Sequence, residues 1–202
     1  IPKRDWSSDV CSSDLWNLYV TDIVKRLEIK GSDTVFEVGC GAGAFLYVVE
    51  KTASAVGGID LAPGLIDIAK KAIPTGEFGV MEAKALPTTP KYDHVTSVSV
   101  FQYFNVNEAA EVLRRMISKA RISVAVLDVP DALTECESEK FRASKLGSKR
   151  YAEKYKLLKH TYFDREWFAE QARNLGLVCE ILDSRISFHA QNRYRFGCII
   201  RK

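Results

Sequence analysis

The sequence predicts an α/β fold, a doubly wound and mostly parallel sheet of about seven strands with helices on both faces. Short apolar runs rich in β-branched residues alternate along the chain with segments whose apolar residues recur at helical spacing. A glycine-rich stretch directly follows the first apolar run, as in the first turn of a doubly wound sheet. Two consecutive strand-like runs end the sequence and indicate an antiparallel hairpin at the edge of the sheet.

The predicted helices are amphipathic segments with start or stop signals. Pro63 suits the start of the third helix, and Asn107 is expected to cap the fourth. Asp164 is expected to cap the last helix, and Gly176 to end it. In chain order, the helices are predicted over residues 16–29, from the glycines to about residue 51, and over residues 61–72, 107–120 and 164–176.

The predicted strands are short apolar runs between turn signals. In chain order, they cover residues 33–39, 55–60, about 77–81, 92–100, 122–129, 177–187 and 194–201. A polar, basic stretch over residues 130–159 interrupts the alternation of strands and helices after the fifth strand. Because this connection is too long for a simple turn, we expect a lid-like insertion at about residues 131–162.

Composition places the chain among ordinary globular proteins. Its 202 residues are 47% hydrophobic and 27% charged, which suits one well-buried domain. We expect a cytoplasmic protein without a membrane span, because no apolar run approaches about 18 residues. The formal net charge of +3 is too small to indicate a polyanionic partner. The five cysteines and three histidines are scattered, so we expect reduced thiols and no metal site.

The N-terminal segment differs from the rest of the chain. Residues 5–15, DWSSDVCSSDL, contain SSD twice and show no periodicity, and a string similar to a common sequencing-library adapter encodes them. We expect residues 1–15 to be a non-native, disordered leader and exclude them from the fold prediction. Residues 16–202 then form one domain, with no internal repeat or linker.

The stretch FEVGCGAGAF, residues 36–45, lets a ligand approach the backbone closely, because glycine has no Cβ atom. Residues 39–44 match the dinucleotide-binding pattern GxGxxG/A. Glu37, at the carboxyl end of the first predicted strand, would repel a pyrophosphate and attract an ammonium. Asp60 ends the second predicted strand, where its carboxylate can accept hydrogen bonds from the ribose hydroxyls of a dinucleotide or of another nucleotide-like cofactor. The glycines alone leave open a dinucleotide and a different nucleotide-like cofactor.

Two later segments favour a nucleotide-like cofactor other than a dinucleotide. MEAKALP, residues 81–87, resembles a DAxxLP segment, and YDHVTSVSVFQYF, residues 92–104, resembles an FDxVxxxxxLxH stretch. Both patterns, in this order after the glycines, are typical of class I S-adenosylmethionine-dependent methyltransferases. The resemblance covers residues 16–202 and implies a Rossmann-like sheet, S-adenosyl-L-methionine (SAM) as cofactor and a small-molecule methyl acceptor.

The resemblance also assigns residues to the cofactor. Glu37 would face the amino group of the methionine end, Asp60 would hold the ribose, and Leu61 would lie against the adenine. Glu82 stands where the family usually has Asp, and Phe101 would border the sulfonium or belong to the core. The positions assigned in this way are Glu37, Gly39, Cys40, Gly41, Gly43, Asp60, Leu61, Glu82, Ala83, Ser97, Val98 and Phe101.

The methyl acceptor can be an oxygen or a nitrogen atom: a hydroxyl would need a base to take its proton, whereas an amine that is deprotonated before it binds would not. Gln102 and Tyr103 stand where many relatives have a His, and His160 and Tyr162 lie in the predicted insertion. The candidate catalytic residues are therefore His160, Tyr103 and Tyr162. His160 has an unperturbed pKa near neutrality, although a structural hydrogen-bonding role fits it equally well.

Other functions stay open at this point. Residues 140–159 contain eight Lys or Arg and one Glu, which indicates a solvated face or a patch for an anionic substrate such as RNA. SVFQYF, residues 99–104, lacks the Asn/Asp-Pro-Pro-aromatic signature of DNA base methylation. We expect a small-molecule partner rather than nucleic acid, and a monomer or homodimer. An NAD(P)-dependent reductase and a non-catalytic cofactor-binding module are the remaining alternatives.

Overall fold

The computed structural model describes residues 13–147, 151, 153, 159–184 and 190–202. The described helices are α1 (Ser13–Leu27), α2 (Leu46–Val49), α3 (Pro63–Ala72), α4 (Val106–Lys119), α5 (Glu135–Leu146) and α6 (Arg165–Arg173). The strands are β1 (Thr34–Val38), β2 (Ala55–Asp60), β3 (Glu77–Val80), β4 (Tyr92–Val98), β5 (Ala120–Pro130), β6 (Val178–Asp183) and β7 (Arg195–Arg201).

The strands form one sheet in the order β3-β2-β1-β4-β5-β7-β6. The pairs among β1 to β5 are parallel, and β7 runs antiparallel to both β5 and β6. This arrangement confirms the predicted fold class. The last strand lies inside the sheet, between β5 and β6.

Two apolar layers cover the sheet. Phe36 of β1 packs in the layer that includes Leu113 of α4 and Phe168 of α6. Val35, the preceding residue, packs in the opposite layer with residues of α1, α2 and α3. Burial of one Leu, Val or Phe side chain contributes about 1.5–3 kcal/mol. The alternation of neighbouring residues between two apolar layers explains why Val35 and Phe36 are both apolar.

Three helix boundaries differ from the prediction. α1 begins at Ser13, inside the predicted leader, and residues 1–12 lie outside the described residues. α2 is one turn long and ends at Val49. The predicted cap of α4 was wrong: Asn105 caps the helix, because its side chain accepts from the Glu108 amide while the Glu108 carboxylate accepts from the Asn105 amide.

The predicted insertion begins and ends at the carboxyl ends of the strands. The Phe163 amide donates to the Pro130 carbonyl at 2.9 Å, and the Ala132 amide donates to the Phe163 carbonyl at 2.9 Å. The Thr161 amide donates to the Gln102 carbonyl at 3.0 Å. The two ends of the insertion therefore lie side by side, next to the segment after β4. Residues 148–150, 152 and 154–158 of the insertion lie outside the described residues.

None of the helices within the described ranges is both long and apolar enough to cross a bilayer.

Candidate functional site

The glycine loop folds back onto the end of β2. The amides of Gly39 and Cys40 donate to the Ile59 carbonyl at 2.8 and 3.0 Å. The amide of Gly41 donates to the Oδ2 atom of Asp60 at 2.9 Å. Three consecutive amides of the loop are therefore bonded within the protein, and they are not free to bind an anion.

Asp60 connects the loop after β1 to the loop after β2. Its second carboxylate oxygen, Oδ1, accepts from the Ala62 amide at 2.9 Å. The residue is partly buried, and each carboxylate oxygen has a further lone pair for another donor. Asp60 can thus hold the glycine loop and accept a hydrogen bond from a ligand hydroxyl at the same time.

Two glycines of the loop show why larger residues are excluded. Gly39 has a φ of +75°, and a Cβ atom there would lie 2.3 Å from Cγ2 of Val100. Gly41 has a φ of +53°, but its nearest neighbour would be Cδ1 of Leu65 at 3.9 Å. Gly39 therefore allows the segment after β4 to pack on the loop, whereas Gly41 leaves the loop surface bare.

Glu37 is a buried carboxyl group without a partner. The residue is 3% exposed, and its Oε2 atom has no hydrogen-bond partner among the described residues. Burial, with a smaller contribution from Asp60, raises the pKa of Glu37 well above its ordinary value. Burial and the same two carboxyl groups also raise the pKa of Cys40, so its thiol stays protonated. Since a buried carboxylate requires a compensating group, this position favours a cationic ligand.

Helix α1 covers this part of the site. The indole N–H of Trp16 donates to the Ala44 carbonyl of the glycine loop at 3.1 Å. Tyr19 is 8% exposed, and burial, followed by the charges of Asp128 and Glu37, raises its pKa. Tyr19 and Asp128 line the same cavity. The sequence pattern of α1 indicates an amphipathic helix and does not predict that Tyr19 lies there.

The remaining predicted cofactor residues divide into two groups. Those near the ends of β2, β3 and β4 keep exposed or partly buried side chains, as a ligand contact requires: Leu61, Glu82, Ala83 and Val98. Ser97 is fully buried, and its hydroxyl donates to the Val38 carbonyl at 2.9 Å. Phe101 is 1% exposed and packs against Phe104, with ring centroids 5.6 Å apart. The side chains of Ser97 and Phe101 therefore belong to the packed interior beside the site, and cofactor contacts of these two residues stay predictions.

The structure brings the three candidate catalytic residues together around Arg142, a residue that sequence analysis did not single out. The rings of Tyr103 and His160 meet edge to face, with centroids 5.5 Å apart. The Arg142 guanidinium lies 3.5 Å from Nε2 of His160 and donates to the Tyr162 hydroxyl at 3.4 Å. Arg142 itself is 4% exposed and pairs with Glu139 at 3.0 Å.

Tyr162 is a poor proton acceptor in this arrangement. Its hydroxyl donates to Oε1 of Glu139 at 2.6 Å. Burial, followed by this hydrogen bond, raises the pKa of Tyr162, so the phenol stays protonated at neutral pH. His160 is different, because a neutral imidazole always has one ring nitrogen with a lone pair that can take a proton.

A second polar cluster lies at the ends of β4 and β5. The hydroxyl of Ser99 donates to Oδ2 of Asp128, and Arg195 donates to the same oxygen at 3.2 Å. Gln102 donates from Nε2 to the Ser99 carbonyl at 2.8 Å, and its Oε1 accepts from Arg195 at 3.3 Å. No sequence pattern indicated this cluster, because Arg195 comes from β7, far along the chain.

Among the described residues, no three His, Cys, Asp or Glu side chains are grouped as a metal ion would require.

Residues 35–121 match the model of a family described as a methyltransferase domain. The matched range covers 87 of the 202 residues and includes the glycine loop, Glu37, Asp60 and Ser99. Asp128, Arg142, His160 and Arg195 lie after the matched range.

Solved structures with the same fold extend the likeness to nearly the whole chain. Magnesium protoporphyrin IX methyltransferase of Synechocystis PCC 6803, solved with bound SAM, aligns with a TM-score of 0.66 and 14% identity, over 94% of this chain and 80% of its own. The plantazolicin methyltransferase BpumL, solved with SAH, aligns with a TM-score of 0.70 and 16% identity, over 94% of this chain and 83% of its own.

An amino pentose methyltransferase, CalS10 of Micromonospora echinaspora, aligns with a TM-score of 0.68 and 14% identity, over 92% of this chain and 91% of its own. At these identities, the likeness of the three proteins to this chain establishes the fold.

Proposed function

We propose that the protein transfers a methyl group from SAM to an oxygen or nitrogen atom of a small-molecule acceptor. One observation carries the proposal: the Glu37 carboxyl group beside the glycine loop is buried, and its Oε2 atom has no hydrogen-bond partner among the described residues. The ammonium of the methionine end of SAM is the group that such a carboxylate requires. SAM supplies an already activated methyl group, so the protein has mainly to align the acceptor with it.

The same loop argues against a dinucleotide. The amides of Gly39, Cys40 and Gly41 are bonded to Ile59 and Asp60, whereas a pyrophosphate requires amides free to donate. α2 is only four residues long, so its dipole is too small to offset two phosphate charges. Glu37 would add a negative charge next to those phosphates. A reductase that uses NAD(P) is therefore disfavoured.

The order of the strands indicates where the acceptor binds. Asp60 of β2 suits the ribose, and Glu37 of β1 suits the methionine end, so the cofactor would extend from β2 towards β4. The acceptor would then approach over the ends of β4 and β5, where Tyr103 and His160 lie. We assign His160 as the proton acceptor for a hydroxyl nucleophile, because histidine is the commonest general base and its ring lies beside Tyr103.

The structural neighbours support a small acceptor. Their names give a porphyrin, an amino pentose and plantazolicin as the molecules with which these methyltransferases are associated. None of these is a nucleic acid. Nine of the 20 residues of the basic stretch over residues 140–159, with four of its eight Lys and Arg residues, lie outside the described residues. The stretch therefore adds no argument for an RNA substrate.

Calorimetric titration with SAM, SAH, NAD⁺ and NADH tests the proposal. We expect SAM and SAH to bind with micromolar-range affinity and the two dinucleotides not to bind. Glu37→Gln keeps the shape of the side chain but removes its charge, and should weaken SAH binding by about 10-fold or more, since a hydrogen bond to a charged group contributes about 1.5–3 kcal/mol. Glu180→Gln, at an exposed position of β6, is the matched control and should bind SAH as the wild type does. Binding of NADH without binding of SAH would overturn the proposal.

A further inference from the structure

We propose that Asp128 binds the methyl acceptor, and that its Oδ1 atom receives a neutral hydrogen-bond donor of that molecule, a hydroxyl or an amine N–H. The inference rests on the proposed methyl transfer, because it assigns a further part of the same site. Four observations support it: the backbone conformation of Asp128, its fixed surroundings, its unpartnered oxygen and its place in the sheet.

The backbone is distorted at Asp128 and at its partner Ser99. Three non-glycine residues in the described ranges have a left-handed φ: Glu28 just after α1, Ser99 at +59° and Asp128 at +57°. Ser99 directly follows β4, and Asp128 lies in β5, where the register with β7 shifts between Val126 and Val129. Left-handed conformations are unfavourable for residues with a Cβ atom, and they concentrate at functional sites.

The surrounding groups hold the Asp128 carboxylate rigidly. Its Oδ2 atom accepts from the Ser99 hydroxyl and from Nη1 of Arg195 at 3.2 Å. Arg195 also donates to the Asp128 carbonyl at 2.8 Å, and the side chains of Arg195 and Asp128 are 7% and 6% exposed. A carboxylate fixed in this way presents its other oxygen in one direction, as selective binding requires.

The Oδ1 atom of Asp128 is buried and has no hydrogen-bond partner among the described residues. A second buried aspartate shows what a purely structural role looks like. Asp131 is 2% exposed, its Oδ1 accepts from the Leu133 amide at 3.0 Å, and its Oδ2 accepts from Arg165 at 2.8 Å. Buried polar atoms are nearly always partnered in native proteins, so the unpartnered oxygen of Asp128 indicates a partner from outside the chain.

The location of Asp128 and its charge define that partner. Asp128 borders a cavity formed by residues of α1, β5, β6 and β7, among them Tyr19 and Phe196. β5 is two strands away from β1, on the side opposite to β2, and therefore on the acceptor side of Glu37. The negative charge of Asp128 is already balanced by Arg195. A carboxylate oxygen can only accept, so a neutral donor satisfies it without a second cation.

Kinetics with Asp128→Asn test the inference. Wild type and variant are incubated with SAM and a panel of phenols, aliphatic alcohols and primary amines, and SAH formation is measured. We expect kcat/KM for a methylated acceptor to fall about 10- to 100-fold, mainly through KM, because one hydrogen bond to the acceptor is lost. The affinity for SAH should stay within about twofold of the wild-type value, because Glu37 and Asp60 are unchanged.

Asp33→Asn is the matched control. Asp33 is also buried, at 8% exposure, but it pairs with His94 at the amino edge of the sheet. This control should leave kcat/KM per folded molecule unchanged. An equal loss of SAH affinity in Asp128→Asn would make Asp128 a cofactor residue and overturn the inference. An unchanged kcat/KM would overturn it too. Failure of the wild type to bind SAH would instead refute the proposed methyl transfer.

A second test uses crystals of the wild-type protein with SAH, soaked in ethanol. This test needs neither a folded variant nor a known acceptor. We expect the ethanol hydroxyl within hydrogen-bond distance of Oδ1 of Asp128. If only an ordered water occupies that position, with and without ethanol, the oxygen has a structural partner and the inference fails even though SAH is bound.

Discussion

The amide of Gly41 donates a 2.9 Å hydrogen bond to Oδ2 of Asp60, which joins the glycine loop after β1 to the end of β2. The other oxygen of Asp60 accepts from the Ala62 amide at 2.9 Å. A carboxylate whose only role was to bind a ribose would not need the hydrogen bonds from the Gly41 and Ala62 amides. Asp60 therefore shapes the loop, in addition to the cofactor contact that we propose for it.

This double role leads to a prediction for Asp60→Ala. We expect SAH affinity to fall about 10- to 100-fold, because charge-assisted hydrogen bonds of about 1.5–3 kcal/mol each are lost. Asp60→Asn should have an intermediate affinity, since its amide oxygen can still accept one hydrogen bond. Calorimetric titration measures both, with Asp67→Asn on the exposed face of α3 as control. Unchanged affinity in Asp60→Ala would remove Asp60 from the site.

The contact of Gly39 with Val100 predicts the effect of Gly39→Ala. A Cβ atom at 2.3 Å from Cγ2 of Val100 cannot be accommodated, and the φ of +75° alone costs about 1–2 kcal/mol for alanine. We expect a lower free energy of unfolding, measured by chemical denaturation, and partial recovery when Val100→Ala is added. Gly64→Ala is the control, because a Cβ atom there meets nothing within 4 Å. A Gly39→Ala variant as stable as the wild type contradicts this account.

Much of the cofactor half of the site was predictable from the sequence, because its signals are local. The apolar run, the glycines and the acidic residues at strand ends stand close together along the chain, and the fold brings Gly41 and Asp60 into contact as the parallel β1–β2 pair requires. Pro63 at the start of α3 and Asp164 at the cap of α6 are equally local signals, and both predictions are confirmed. Asn107 was the wrong cap because Asn105 stands three residues before Glu108, the spacing of a capping box.

The acceptor half depends on contacts between distant parts of the chain. The position of Asp128 in a strand gives no indication of a bulge, and its partner Arg195 lies in β7, which enters the sheet next to β5 only in the folded protein. In the sequence, nothing distinguishes Arg142 from the other cations of the basic stretch. In the structure, it is 4% exposed and lies beside His160. Residue type and spacing could not show these contacts.

The raised pKa of Glu37 predicts how pH affects stability. A carboxyl group with a raised pKa in the folded state binds its proton more tightly there than in the unfolded chain. Its stabilising contribution is therefore complete below the unfolded pKa of about 4.3 and is lost as the pH rises through the folded pKa. Without cofactor, Glu37→Gln should unfold at a higher temperature than the wild type at neutral pH, and the difference should disappear in acid. Thermal unfolding at several pH values measures this difference.

The same group should couple SAH binding to proton release. If the ammonium of SAH pairs with Glu37, binding favours the carboxylate, and a proton leaves the protein below the folded pKa of that group. The SAH affinity of the wild type should therefore increase with pH up to that pKa, whereas that of Glu37→Gln should not. Calorimetry in two buffers of different ionisation enthalpy counts the released protons. A wild type that releases none while binding SAH would show that the ammonium does not meet Glu37.

His160 is the residue on which catalysis of a hydroxyl acceptor should depend. Its ring lies edge to face with Tyr103, and its Nε2 atom stands 3.5 Å from the Arg142 guanidinium. We expect His160→Ala to lower kcat about 100-fold while SAH affinity stays unchanged, because general-base catalysis contributes about 10²–10⁴-fold.

His160→Gln separates a base from a structural hydrogen-bonding residue. The glutamine side chain can still accept from Arg142, but it cannot take a proton at neutral pH. If His160 is the base, the Gln variant should be as slow as the Ala variant, and the acidic limb of the wild-type rate profile should be absent from both. Recovery of the wild-type rate by Gln would assign His160 to the framework of the site and leave the acceptor proton to another group.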